Sequence, residues 1–82
     1  MEITMRNRIR RLRFDSDEMT QRELARRVGC TRQTIHAIEA AKYGPSLELA
    51  IKVAEVFGVT VDDVFQYEVV SKVEAESPRK IP

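Results

Sequence analysis

The sequence is poor in the residues that build most catalytic and cofactor sites. It has one cysteine and one histidine in 82 residues. A lone Cys30 excludes an intramolecular disulfide, and its place in a turn makes it an apolar spacer, not a redox switch. Cys30 and His36 are too few for a His/Cys metal cluster, so no metal or other cofactor is expected. No apolar run is long enough to span a membrane, and no charged n-region precedes an apolar h-region. There is no glycine-rich phosphate loop. The neighbouring acids Asp62 and Asp63 diverge at a helix start and do not converge on a substrate, so the chain does not read as an enzyme. Repeats and low-complexity segments are absent. What remains is one small, helix-rich domain with a cytoplasmic location.

The net charge is only +1, but it is unevenly spread. Residues 1–42 carry ten Lys and Arg against six Asp and Glu, a balance of +4. Residues 43–82 carry four against seven, a balance of −3. The chain is therefore a dipole whose positive half suits a polyanion.

That positive half contains TQRELARRVGCTRQTIHAIEA, residues 20–40. Thr20 and Glu23 have the spacing of a capping box, and Met19 and Leu24 that of a hydrophobic staple. Leu24, Ala25 and Val28 then repeat at helical intervals, with Ala25 small enough for a close helix crossing. Gly29 supplies a left-handed stop. Thr31 caps a second helix whose inner side holds Ile35 and Ile38. Two helices and a tight turn in this order form a helix-turn-helix, whose second helix enters the DNA major groove.

On a wheel from Thr31 to Ala40, Gln33, His36 and Ala37 oppose the isoleucines and Arg32 flanks them. Arg pairs with guanine, Gln with adenine, and Ala37 meets a thymine methyl. Thr31 and Thr34 offer hydroxyls to a base or phosphate. Gln21 opens the preceding helix, where its amide and the helix dipole favour phosphate. The plainer reading makes these side chains a solvated helix face. The capped helix and glycine turn before them favour DNA contact.

The flanking elements are also legible. Ile9 and Leu12 give a first helix over Asn7–Phe14 an apolar stripe within an arginine-rich surface. Ser46 caps a fourth helix with Leu47, Ala50, Ile51, Ala54 and Phe57 facing the core, and Gly58 stops it. Thr60 and Asp63 form a second capping box, with Val59 and Val64 as its staple, and Phe65 closes the core. Residues 1–5 and 65–70 alternate with period two, and a two-stranded antiparallel sheet joining the ends is the hypothesis. Residues 71–82 are expected to be an extension or flexible tail.

TQRELARRVG, TRQTIHAIE, KYGPSLELAIKVAEVFGV and VDDVF, in this order, resemble the Cro/lambda-repressor-like, XRE-type helix-turn-helix family over roughly Asn7 to Phe65. The resemblance implies an all-α, compact five-helix DNA-binding domain spanning 1–70, with the terminal sheet as an addition. It implies base reading by Arg32, Gln33, His36 and Ala37. Phosphate contacts fall to Gln21, Thr31, Thr34, Lys42, Tyr43 and Gly44, the last three in the loop AAKYG. A partly buried ion pair between Arg13 and Glu39 is also implied. RFDSDEMT is one residue longer than in the shortest members and reads as a solvated turn. The function implied is a transcription regulator, a repressor acting on double-stranded DNA as a homodimer. Candidate dimer contacts lie near Leu49, Val53, Val61 and the terminal strand. The alternative is an antitoxin-type interaction module with secondary DNA binding. No membrane partner or small-molecule ligand is evident in the sequence, and any ligand would have to use the small core or the dimer seam.

Overall fold

The computed structural model describes residues 2–70. Met1 and the segment 71–82, with the tail expected there, lie outside the described residues. The element order is β1 (Glu2–Asn7), α1 (Ile9–Asp15), α2 (Gln21–Val28), α3 (Arg32–Glu39), α4 (Leu47–Phe57), α5 (Val61–Val64) and β2 (Phe65–Val70). The strands pair antiparallel, so an all-α description is approximate.

Local chemistry sets most helix starts. Thr20, Thr31, Ser46 and Thr60 each accept an amide from three residues ahead through the side-chain oxygen. Each such cap contributes about 1 kcal/mol. Only the box at Thr60 and Asp63 is reciprocal. At Thr20 the expected return bond is replaced. The Glu23 carboxylate takes Arg26 at 2.6 Å and Arg27 at 2.7 Å instead. Two guanidinium groups one turn ahead offer stronger, charge-assisted bonds than a neutral amide.

The first helix begins two residues later than its apolar stripe suggested. Asn7 ends β1 and caps α1 from outside, its Oδ1 accepting the Ile9 amide at 3.1 Å. Its Nδ2 donates to the Ile38 carbonyl at 2.9 Å. One side chain thus ties the sheet, the first helix and the end of α3 together.

Three helices end on a left-handed residue. Gly29 and Gly58 do so at φ 80° and 70°. Ala41 does so at φ 60° after α3. The Ala41 amide bonds the Ile38 carbonyl and the Lys42 amide the Ala37 carbonyl, at 2.9 and 3.0 Å. This is the paired closure that a glycine usually permits. An alanine in that position is strained by about 1–2 kcal/mol.

The core gathers Ile9, Leu24, Ala25, Val28, Ile35, Ile38, Val53, Ala54 and Val64. Ala25 lies in this core, on the helix that packs chiefly against α3. The α4 stripe is rotated from the expected one. Ala50, Val53 and Ala54 are buried, whereas Leu47 and Ile51 are 74% and 45% exposed. Positions 47 and 51 lie on the flank of the stripe centred on 50, 53, 54 and 57 at 100° per residue. Val53 is fully enclosed, so it is a core residue and cannot be a dimer contact.

Candidate nucleic-acid interface

The α2–α3 unit is held by a network around Glu39. Arg13 grips this carboxylate with two bonds, Nε to Oε2 at 2.6 Å and Nη2 to Oε1 at 3.1 Å. A third Arg13 bond, from Nη1, reaches the Met19 carbonyl at 2.8 Å and fixes the turn before α2. The side chains of Arg13 and Glu39 are only 16% and 9% exposed. A forked guanidinium matches a carboxylate in a way that an ammonium cannot.

The network continues outward. Gln21 Nε2 donates to Glu39 Oε1 at 3.2 Å, and Arg32 Nη1 donates to Gln21 Oε1 at 3.2 Å. The Gln21 amide group is thereby oriented, oxygen toward Arg32 and nitrogen toward Glu39. Its side chain is a strut between the end of α3 and the start of α3, and Arg32 is steadied at the helix's first position. Sequence reasoning gave Gln21 to phosphate alone and missed this tether, since Gln21 and Glu39 are 18 residues apart.

Arg32, Gln33 and His36 are exposed along one side of α3, and Ala37 is half-buried beside them. Among the described residues, the Gln33 and His36 side chains have no hydrogen-bond partner. Arg10 of α1 borders the same open depression as Arg32 and His36 and adds a cation to that face. The Thr31 hydroxyl accepts the Thr34 amide at 3.1 Å and lies 3.0 Å from the Thr34 hydroxyl. Both threonines are thus occupied in capping, although each hydroxyl oxygen keeps capacity for a further contact.

Free amides flank α3 in the chain. Among the described residues, the amides of Gln21 and Arg22 at the start of α2 have no acceptor. Nor do those of Tyr43 and Gly44, beyond the closure at Ala41. Lys42 and Tyr43 are exposed beside the second pair. Unpaired amides on a surface are anion sites in waiting, the first pair strengthened by the helix dipole. Cys30 lies in the turn between α2 and α3, half-buried against the core, where burial pushes its thiol pKa up. A thiol held protonated is a poor nucleophile.

The Helix-turn-helix family profile matches residues 9–64, from the first residue of α1 to the last of α5. The chain belongs to the XRE-type helix-turn-helix family of transcriptional regulators. It is 56% identical over 50 residues to an uncharacterized HTH-type transcriptional regulator of Methanocaldococcus jannaschii, covering 61% of this chain and 76% of the relative. An uncharacterized HTH-type transcriptional regulator of Archaeoglobus fulgidus is 48% identical over 64 residues, 78% of this chain and 89% of the relative. The crystal structure of a candidate DNA-binding protein from Bacteroides fragilis superposes with a TM-score of 0.65 at 32% identity, over 76% of this chain and 98% of that one. Within this XRE-type domain, the match takes in α2, the turn at Gly29 and α3. Among the described residues, no helix is long and apolar enough to cross a membrane.

Proposed function

We propose that this regulator is a sequence-specific repressor that binds a two-fold related operator as a homodimer in the cytoplasm. The observation that carries the reading is the contrast across α3. Ile35 and Ile38 are sealed in the core, while Gln33 and His36 stand exposed with no partner inside the described residues. Arg32, Gln33, His36 and Ala37 read base edges in the major groove. The amides at Gln21 and at Tyr43–Gly44, with Lys42, Thr31 and Thr34, grip phosphates on either side. Gln21 has a double role here: its backbone meets phosphate while its side chain aims Arg32. No step of this reading is catalytic.

One recognition helix offers few base contacts. Two copies with helices about one duplex turn apart, some 34 Å, double them. Leu49 and Val61, partly buried at the edge of the core, and the terminal sheet are the surfaces for this pairing. The uncovered sheet also favours a second reading, an antitoxin-type module that holds a different protein there. Co-purification of a second chain from the native source would select that reading.

Selection from a random duplex pool at two salt concentrations tests the proposal. A palindromic site with a steep salt slope supports it, and an unstructured pool overturns it. Gln33→Ala is expected to lose about 1–3 kcal/mol of discrimination at one position per half-site. Lys42→Ala is the control, weakening all sequences alike and flattening the slope. Equal losses on every sequence for Gln33→Ala would remove it from base reading.

A further inference from the structure

A cleft of about 240 Å³ lies behind the loop that follows α3. One wall is the face of the terminal sheet that carries Ile3, Met5 and Phe65, and the other is the loop segment Ala41–Pro45. Gly44 lets the walls approach, since a Cβ there would sit 3.2 Å from the Met5 sulfur. The volume of the cleft lies below the roughly 300–1,000 Å³ of sites for drug-sized molecules and suits a smaller ligand.

The chemistry of the walls is specific. The apolar side comes from both walls and from Ile38 at the end of α3. Lys42 is the cation of the loop wall, and no acid is among the lining residues. Arg6 borders the cleft from the strand, its side chain alternating to the opposite face of the sheet. The unpaired amides of Tyr43 and Gly44 belong to the same segment. A surface that only awaited another apolar surface would not need a cation and two free amides at its margin. An anionic head with an apolar body answers all of these features at once.

We propose that this cleft binds a small monocarboxylate with an apolar body. Its head meets Lys42 and the Tyr43–Gly44 amides, and its body lies against Met5, Ile3 and Phe65. Resting on the proposed phosphate role of that loop, ligand and DNA compete for the same groups, and each weakens the other by the same factor. The ligand is thus an inducer that reaches the DNA-binding surface without a separate effector domain.

The test is an NMR titration of the full chain, without DNA, using sodium 3-phenylpropanoate, its neutral analogue 3-phenylpropanamide, and sodium acetate. The carboxylate is expected to shift the Tyr43 and Gly44 amides and the Met5 methyl together. The amide should bind at least tenfold more weakly, and acetate should leave Met5 unmoved. Ile3 is 60% exposed, so Ile3→Trp fills the cleft without touching the core and should reduce carboxylate affinity at least tenfold. Lys42→Gln should remove the preference for carboxylate over amide. Three results overturn the proposal: no Met5 response to phenylpropanoate in a folded chain, equal binding of carboxylate and amide, or Ile3 and Met5 signals that move on dilution alone. The last would show a second copy in the cleft, so the proposal confines any homodimer contact of the sheet to its edges and polar face. A separate arm measures selected DNA with and without phenylpropanoate, where weaker DNA binding is expected and unchanged affinity overturns the competition. Failure of the ligand arm leaves DNA binding intact, so the two readings fail separately.

Discussion

The helical body and the terminal sheet treat their apolar residues in opposite ways. In the body, Ile9, Leu24, Ile35, Ile38, Val53 and Val64 are fully enclosed. In the sheet, the paired residues Ile3 and Val69, Met5 and Tyr67 share one face and are 40–69% exposed. The other face is polar, with Glu2, Thr4, Arg6, Gln66 and Glu68. A two-stranded sheet has no second layer of its own and is marginal alone. This one is anchored through the Asn7 bond to Ile38 and the Arg8 amide, which meets the Val64 carbonyl at 2.8 Å. The body is therefore a finished unit, and the sheet is a fixed but uncovered surface. The family match ends where this division falls, at Ile9 and Val64.

The division is sharpest in a truncation experiment. Leu24→Ala is expected to cost about 2–5 kcal/mol in urea unfolding, because it opens a void that neighbours fill only in part. Val69→Ala in dilute solution should cost about 0.5 kcal/mol or less. A large cost for Val69→Ala that grows with protein concentration would show the sheet covered by a second copy.

Next in size is the network that ties α1 and α2 to the two ends of α3. Arg13→Met keeps the stem and removes the charge, leaving Glu39 with Gln21 alone. A loss of about 2–3 kcal/mol is expected. The same variant should also weaken base discrimination at the Arg32 position, read by binding to matched and mismatched duplexes. Stability lost with discrimination intact would separate the ion pair from the aiming of Arg32.

Ala41→Gly should act in the opposite direction. It relieves the left-handed strain but adds freedom to the unfolded chain, for a net gain of about 0.5–1 kcal/mol in thermal unfolding. If the strained turn holds the Lys42–Gly44 segment for phosphate, the more stable variant binds DNA less well.

The smallest expected effect is on the surface of α2. Hydrogen bonds from Arg26 and Arg27 hold the Glu23 carboxyl at about 2, below its ordinary 4.5. A depressed value means that the group favours the folded state above pH 4.5 and loses this contribution as pH falls toward about 2. Glu23→Gln should flatten stability in that window alone, and added salt should do the same because the cluster is exposed. A Glu23 titration midpoint near its ordinary value would show that the arginines do not hold it.

Short-range chemistry was legible in the sequence because its partners lie within one turn. Thr20, Thr31, Ser46 and Thr60 announce helix starts, and Gly29 and Gly58 announce stops. The strand pairing was legible from alternation at the two ends. Ala41 was not, because nothing in its own side chain requests a left-handed turn. The late start of α1 was hidden because Asn7 ends a strand and caps a helix at once. Glu23 looked like half of a box, yet its choice between an amide and two arginines depended on side-chain competition.

By itself, then, the sequence determined the five helices, the inward faces of α2 and α3, and the polar flank carrying Arg32, Gln33 and His36. Periodicity and capping act over three or four residues and need no knowledge of the rest. Only the tertiary structure decided that Val53 is core and Ile51 is not, that Gln21 links Glu39 to Arg32, and that the sheet folds a cleft against the Ala41–Pro45 loop. Those outcomes depend on how rotated helices and distant strands share space, which spacing along the chain does not encode.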